Sequence, residues 1–452
     1  MAENNTGTAN KTWVNRWTFM LAAAGSAIGL GNIWKFPYIA GEYGGGAFVL
    51  VYLLCITIMG VPLLMAETLI GRTTRLSPLN GIKKLISDAS ITKAWQAIAW
   101  MGMLCGFLIL SFYSVIAGWS LSYAWDVLNG VFTGMNADQV GDEFSALVSS
   151  APRQIIWHTT FMLLTLLITS RGIHKGLEKG LQVMMPMLFF LLLIMLGYSV
   201  VETGQFMRGA SFMFSVDFTK LNQDALLAAL GQAFFTLSLG MCALMAYGAY
   251  MPAKNSIGKT AFQVATLDTA MAILSGLVVF PIVFAYGLEP SAGPGLLFVS
   301  LTAAFANMPM GDLFGFLFFA LVGIAALSSA ISLVEPTVAW LTERTGMSRK
   351  MATVVLCSLV WVVGLGTVFS FTDNFGAALL GSNFFDAIDF LTNSILMPLG
   401  GVLIAIFAGW KIKQSVVMAE LSLNKGMFTI WRVVVGILVP ICVTAVLITT
   451  VF

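Results

Sequence analysis

Three features of this 452-residue chain carry polar chemistry into otherwise apolar surroundings. The first is Gly25-Ser-Ala-Ile-Gly-Leu-Gly-Asn32, with three glycines inside eight residues. The second is Phe235-Thr-Leu-Ser-Leu-Gly240, which brings hydroxyls and a glycine to a similar depth in another apolar run. The third is Asp268, a carboxylate one-third of the way into a hydrophobic helix. Glycine weakens a helix by ~1 kcal/mol against alanine, and non-helical backbone inside a bilayer is tolerated only beside a protein-lined cavity. Where such a helix breaks, the freed N–H groups can hold an anion and the freed carbonyls a cation. A carboxylate at that depth is costly unless it is paired with a cation. On the residues alone, close helix packing by small side chains remains an equal account of the glycines.

The elements that must position these groups are membrane spans. Hydrophobic residues make up 58% of the chain and charged residues only 10%, against roughly 25% charged in soluble domains. Apolar runs long enough to cross ~30 Å of hydrocarbon recur throughout. Eleven are expected, at approximately 17–40, 47–71, 95–128, 155–170, 181–202, 224–251, 260–288, 312–341, 351–371, 385–410 and 429–450. The first sixteen residues, Met1 to Arg16, are polar and lack an apolar signal core, so no cleaved signal is expected. Every lysine and arginine except Lys35, Arg153, Arg208 and Lys220 falls on the N-terminal side of the membrane, which predicts that side to be cytoplasmic and the C-terminus outside. The five cysteines lie in apolar spans as packing residues, and His158 and His174 share no metal-ligand spacing. No basic patch interleaves with aromatics, so no nucleic-acid partner is expected.

The two interrupted runs are the first and the sixth. They lead two consecutive sets of five, and because five is odd the second set must run upside down. An inverted five-plus-five repeat with a broken leading helix in each half is a transporter plan. The expected class is therefore an all-α polytopic membrane protein of eleven transmembrane helices. Its segments are 1–16 as a cytoplasmic leader, 17–202 and 203–410 as the repeats, and 411–452 as a cytoplasmic loop with the last helix. A receptor, a channel and an enzyme are the rivals. The polar tails are short, the polar residues cluster at mid-depth rather than along a path, and no nucleophile–base pair stands at membrane depth.

Three motifs then carry a resemblance. Gly29-Leu-Gly-Asn-Ile-Trp-Lys-Phe-Pro-Tyr38 with Gly44-Gly-Gly-Ala-Phe48, Gly231-Gln-Ala-Phe-Phe-Thr-Leu-Ser-Leu-Gly240, and Ala325-Ala-Leu-Ser-Ser329 stand in the same order as in the neurotransmitter:sodium symporter family, which the chain resembles from Trp13 to beyond Asp389. Most relatives have twelve helices, and this chain ends after the eleventh. The resemblance implies a leucine-transporter fold and sodium-coupled, chloride-independent uptake of hydrophobic L-amino acids such as leucine and tryptophan, by a bacterial inner-membrane carrier.

It also implies a site. One sodium would use Ala27 and Thr236 carbonyls, the Asn32, Thr236 and Asp268 side chains, and the substrate carboxylate. A second sodium would use the carbonyls of Gly25, Ile28 and Ala325 with the hydroxyls of Ser328 and Ser329. Hard cations take oxygens of these kinds. The substrate would sit against Ala27, Gly29, Leu30, Gly31, Tyr113, Thr236 and Ser329, its side chain among Ile109, Phe235, Ser238, Met241, Ala330 and Leu333. Amine carriers of the family place an aspartate where this chain has Gly29, so a substrate that brings its own carboxylate is implied. Relatives usually have asparagine at position 268, and the chloride-dependent ones have serine at position 272, here Ala272. An aspartate touching the sodium would supply the negative charge itself. Lys35 and Asp389 match an outer charged gate, with Phe235 as the lid and Gln232 beside it. Lys11 or Arg16 could pair with Glu343, Glu67 is expected in a buried polar network, and Gly176 and Pro186 bracket a segment that could unwind.

Overall fold

The computed structural model of the chain describes residues 16–288, 295–377 and 381–451. Every regular element described is a helix. They are α1 (Arg16–Ala27), α2 (31–42), α3 (Gly46–Thr74), α4 (Pro78–Ala89), α5 (Lys93–Leu128), α6 (Ala137–Ser149), α7 (Ala151–Ser170), α8 (Lys175–Thr203), α9 (Phe206–Phe214), α10 (Gln223–Thr236), α11 (Ala243–Tyr250), α12 (Ile257–Ala285), α13 (Leu296–Asn307), α14 (Gly311–Thr345), α15 (Arg349–Asp373), α16 (Phe384–Lys411), α17 (Gln414–Leu421) and α18 (Lys425–Thr449). Eight of these are long and apolar enough to cross a membrane, among the described residues. The 20-residue α7 and the pairs α1/α2 and α10/α11 complete eleven crossings. The bundle face where α1 starts is the near face below, and the opposite one the far face.

Helices α5 and α14 are apolar all round, which suits burial rather than a one-sided surface. They pack along one another at the centre, each about four-fifths buried over its most apolar stretch. By contrast α18 lies at the rim, with Ile430 and Ile441 more than 60% exposed on its outer side.

The two interruptions meet. Hydrogen-bonded turns stop at Ile28–Gly29 between α1 and α2, and at 237–242 between α10 and α11. Ser238 Oγ, inside the second break, donates to Ser26 O, just before the first, at 2.9 Å. Gln232 Nε2, before the second break, donates to Gly31 O, just after the first, at 2.8 Å. The earlier residue of the second run, Gln232, pairs beyond the first break and the later one, Ser238, pairs ahead of it, so the two broken helices run antiparallel, as an inverted repeat requires.

Gly176 and Pro186, expected to bracket a segment that could unwind, lie in continuous helical backbone here, where Ile173–Glu178 forms a wide turn leading into Lys179–Thr203. Gly176 also serves close approach: a Cβ there would stand 2.1 Å from Ile168 O of α7. Glu343 accepts from Ser77 N at 3.0 Å and from Asn80 Nδ2 at 2.8 Å, so it caps the start of α4. Its expected partners, Lys11 and the Arg16 side chain, lie outside the described residues.

Candidate ion and substrate site

Asp268, one-third of the way along α12, has no exposed surface. Its carboxylate gathers three groups from three other helices. Asn32 Nδ2 on α2 donates to Oδ1 at 2.8 Å and to the Asp268 carbonyl at 3.0 Å. Thr236 Oγ1, the last residue of α10, lies 3.0 Å from Oδ2. The Tyr52 hydroxyl on α3 donates to Oδ2 at 3.5 Å. Asn32, Tyr52 and Thr236 are themselves fully buried, so the carboxylate sits in a dry nest. An isolated carboxylate there is costly, and a cation beside it offsets that cost.

A second oxygen cluster lies between α1 and α14. Ser328 Oγ is 3.2 Å and Ser329 Oγ 3.3 Å from Ile28 O, and Ser328 Oγ is 2.9 Å from Ala325 O. A cation of calcium-like radius holds oxygens at about 2.3–2.6 Å, which puts neighbouring oxygens roughly 3.3–3.7 Å apart. The observed separations come close to that shell. Gly25, whose carbonyl is the remaining expected ligand, sits against Leu181 and Met185 of α8, within about 3 Å of where its Cβ would stand.

A cavity of about 30 Å³ opens beside the second cluster, lined by Ala27, Gly29, Leu30, Gly31, Ile109, Tyr113, Phe235, Ser238, Met241, Ser329 and Leu333. Thr236 faces Asp268 and does not line it, and neither does the fully buried Ala330. The Tyr113 hydroxyl accepts from Leu30 N at 3.4 Å, at the start of α2, where free N–H groups favour an anion. Gly29 permits this closeness: a Cβ there would lie 2.3 Å from Ser329 Oγ and 3.1 Å from the Tyr113 oxygen. Apart from Ser238, whose hydroxyl is taken by Ser26 O, the remaining walls carry no polar side chain. Such a small volume holds water only, so an amino acid enters only as Phe235, Met241 or Leu333 moves.

Phe235 also borders a larger cavity of about 390 Å³ on the far side, with Lys35, Gln232, Asp224 and Asn393 among its walls. The Lys35 ammonium lies 4.1 Å from the Phe235 ring centroid, and Asp389 accepts from Asn393 Nδ2 at 2.6 Å. Lys35 and Asp389 share no direct ion pair among the described residues. The cation–π contact holds the ring as a lid between the two cavities.

Two groups outside the sequence reading, Tyr52 and Glu335, and one expected in a buried polar network, Glu67, complete the region. Tyr52 gave no signal, since a tyrosine in an apolar run reads as packing. Glu67 Oε1 accepts from Gly240 N at 2.7 Å, with both groups fully buried, and so fixes the second break. Residues Ser238, Gly240 and Cys242 around it all have positive φ. Glu67→Ala leaves that N–H unpaired, a loss of roughly 1–3 kcal/mol, and should weaken substrate binding about tenfold, whereas Glu67→Gln keeps an acceptor and should bind near normally. Isothermal titration of both variants decides this. Towards the near face, Glu335 on α14 is fully buried, ion-paired to Arg349 of α15 and hydrogen-bonded at 2.8 Å to the Tyr250 hydroxyl of α11. Arg349 Nε reaches Thr169 O of α7 at 3.2 Å, so four helices are tied below the cavity. Glu335 is the one acid between Asp312 and Glu343, and its depth in an apolar helix was the missed signal.

Broken antiparallel helices around a buried carboxylate, an oxygen cluster and a lidded cavity define an ion-coupled membrane carrier. The chain belongs to the sodium:neurotransmitter symporter family, whose model matches residues 10–139 and 148–452. It is 37% identical over 435 residues to the uncharacterised sodium-dependent transporter YhdH of Bacillus subtilis, covering 95% of each chain. An uncharacterised sodium-dependent transporter of Methanocaldococcus jannaschii is 32% identical over 467 residues, covering 96% of this chain and 89% of its own. The crystal structure of MhsT in complex with L-phenylalanine superposes with a TM-score of 0.89 at 40% identity, covering 98% of this chain and all of that one. The protein is thus a multi-pass membrane transporter that uses sodium, and its relatives are transporters rather than enzymes.

Proposed function

We propose that the protein is a chloride-independent symporter that carries hydrophobic L-amino acids into the cell with two sodium ions, by alternating access. The observation that carries this reading is the Asp268 nest beside a cavity whose only polar groups suit a carboxylate and an ammonium. The first sodium sits between Asp268, Thr236 and Asn32, whose amide turns over to present Oδ1. The second takes the Ile28 and Ala325 carbonyls with Ser328 and Ser329. The substrate carboxylate meets Tyr113 and the N–H groups of Leu30 and Gly31 and shares the first sodium, which couples the two bindings. The bound L-phenylalanine of the MhsT structure and the uncharged walls Ile109, Met241 and Leu333 support an apolar side chain.

The near face is assigned to the cytoplasm of a bacterial inner membrane, following the basic residues. Phe235 with Lys35 closes the far path, and the Glu335–Arg349–Tyr250 cluster closes the near one. Each sodium entering down 100 mV contributes ~2.3 kcal/mol, so two ions suffice for well over tenfold accumulation.

Equilibrium binding of radiolabelled L-leucine to the detergent-purified protein, in sodium or potassium, tests the substrate class. Sodium-dependent binding competed by tryptophan and phenylalanine, and not by glutamate, lysine or dopamine, is expected. Competition by dopamine but not by tryptophan overturns it. Gly29→Ala should reduce this binding by more than tenfold, because the added Cβ overlaps Ser329 Oγ.

A further inference from the structure

The near-face end of α16 and α18 carries a charge imbalance that transport does not use. From Phe390 to Phe452 the chain has four cations, Lys411, Lys413, Lys425 and Arg432, and one acid, Glu420. That acid is taken: its carboxylate pairs with Arg72 of α3 at 2.6 Å. A groove of about 380 Å³ opens between the two helices, lined by Trp410, Gln414, Lys425, Phe428, Thr429 and Arg432, with Val433 and Ile437 deeper. No carboxylate lines it.

Arg432 is held rather than loose. Its guanidinium lies 4.1 Å from the Trp410 ring centroid and 5.9 Å from that of Phe428. The Trp410 ring is fixed by its own N–H, which donates to Gly436 O at 2.9 Å. Arg432 Nε is buried without a hydrogen-bond partner. A stacked guanidinium with an unused donor presents its fork for planar recognition of an oxyanion.

The depth fixes the kind of oxyanion. Arg432 lies seven residues into α18, about 10 Å from its start, and Trp410 closes α16 at the same level. An arginine and a tryptophan side by side near a helix end mark the interfacial layer, where lipid phosphates lie. Outward from the groove the surface turns apolar: Ile430, Val433, Ile437 and Ile441 are 42–68% exposed. That surface suits acyl chains continuing from a bound headgroup.

We propose that this groove is a binding site for an anionic glycerophospholipid, whose phosphodiester engages Arg432 and Lys425 and whose headgroup hydroxyls meet Gln414 and Thr429. A zwitterionic headgroup fits less well, because its ammonium would meet cations and no carboxylate. The chemistry is that of a lipid on the near-face leaflet and not of a soluble phosphate, which would leave the apolar strip uncovered.

Native mass spectrometry of the detergent-purified protein, titrated with phosphatidylglycerol or phosphatidylcholine of the same acyl chains, tests it. Phosphatidylglycerol should bind at least tenfold more tightly, and millimolar inorganic phosphate should leave it bound. Each neutralised cation should cost about fivefold, so Arg432→Gln with Lys425→Gln should weaken phosphatidylglycerol roughly 25-fold and leave phosphatidylcholine unchanged. Arg432→Lys, which keeps the charge and loses the fork, should fall between. Lys425 is exposed, so Lys425→Gln alone keeps the test open if the Arg432 variants do not fold. Equal affinity for the two lipids, displacement by inorganic phosphate, or unchanged binding in Lys425→Gln and the double variant would overturn the proposal.

Discussion

Asp268→Asn should lower sodium affinity about 100-fold and reduce sodium-driven uptake to near background. The substitution is almost isosteric, so Asn32, Tyr52 and Thr236 keep a partner and the nest keeps its shape. What changes is charge. An ion in a site with no exposed surface loses its compensating carboxylate, and removing one member of a desolvated charge pair costs roughly 2–5 kcal/mol. Sodium titration by intrinsic fluorescence measures the shift. Chloride separates this account from a steric one. Ala272, fully buried one turn beyond Asp268 on α12, offers no hydroxyl to an anion. Chloride should therefore not restore Asp268→Asn, while adding Ala272→Ser should make the residual uptake rise with chloride. An Asp268→Asn protein that takes up leucine normally in chloride-free buffer would show that the carboxylate does not hold the ion.

The second large effect is expected at the near face. Glu335→Ala strips the Arg349 guanidinium of its carboxylate and the Tyr250 hydroxyl of its acceptor. Breaking a buried pair from one side costs roughly 3–5 kcal/mol. The cluster ties α11 to α14, α15 and α7, so its loss bears hardest on the state in which those helices are closed below the cavity. A shift of about 3 kcal/mol changes the ratio of closed to open by about 100-fold. Amide exchange followed by mass spectrometry should then show α11 and the 237–242 break exchanging at least tenfold faster, with uptake falling in parallel. The far-side groups, Lys35 and Phe235 among them, should keep their protection. Unchanged exchange in α11 would remove Glu335 from the near-side closure.

The sequence made some of this legible because the bilayer leaves few alternatives for polar groups. Gly25–Asn32 and Phe235–Gly240 read equally as close-packing surfaces until their place at the head of two sets of five marked them as breaks, and the structure brings those two stretches together. Asp268 stood out because a carboxylate at that depth needs a cation beside it. Glu335 obeyed the same rule and escaped notice, because its partners are brought to it by packing: Arg349 from the start of the next helix and Tyr250 from one 85 residues away. Tyr52 was silent for a different reason: its hydroxyl gains meaning only when α3 packs against α12. A glycine before a proline, as at Gly176, has two physical uses, freedom and close approach, and local pattern offers both. The close approach became visible only with the position of the Ile168 carbonyl. Glu343 was read by charge alone, and what charge could not show is that the start of α4 offers it the Ser77 backbone N–H and the Asn80 amide in fixed geometry. Local pattern reveals where polar groups are needed; which helix supplies the partner is decided by packing.

The most direct test of the central claim is uptake of radiolabelled L-leucine and L-tryptophan into proteoliposomes under an inward sodium gradient, with potassium replacing sodium and gluconate replacing chloride in parallel. The account predicts concentrative uptake that requires sodium, is indifferent to chloride, and is lost in Asp268→Asn. Uptake of neither amino acid by a protein that still binds sodium, or uptake that rises strongly with chloride, would contradict it.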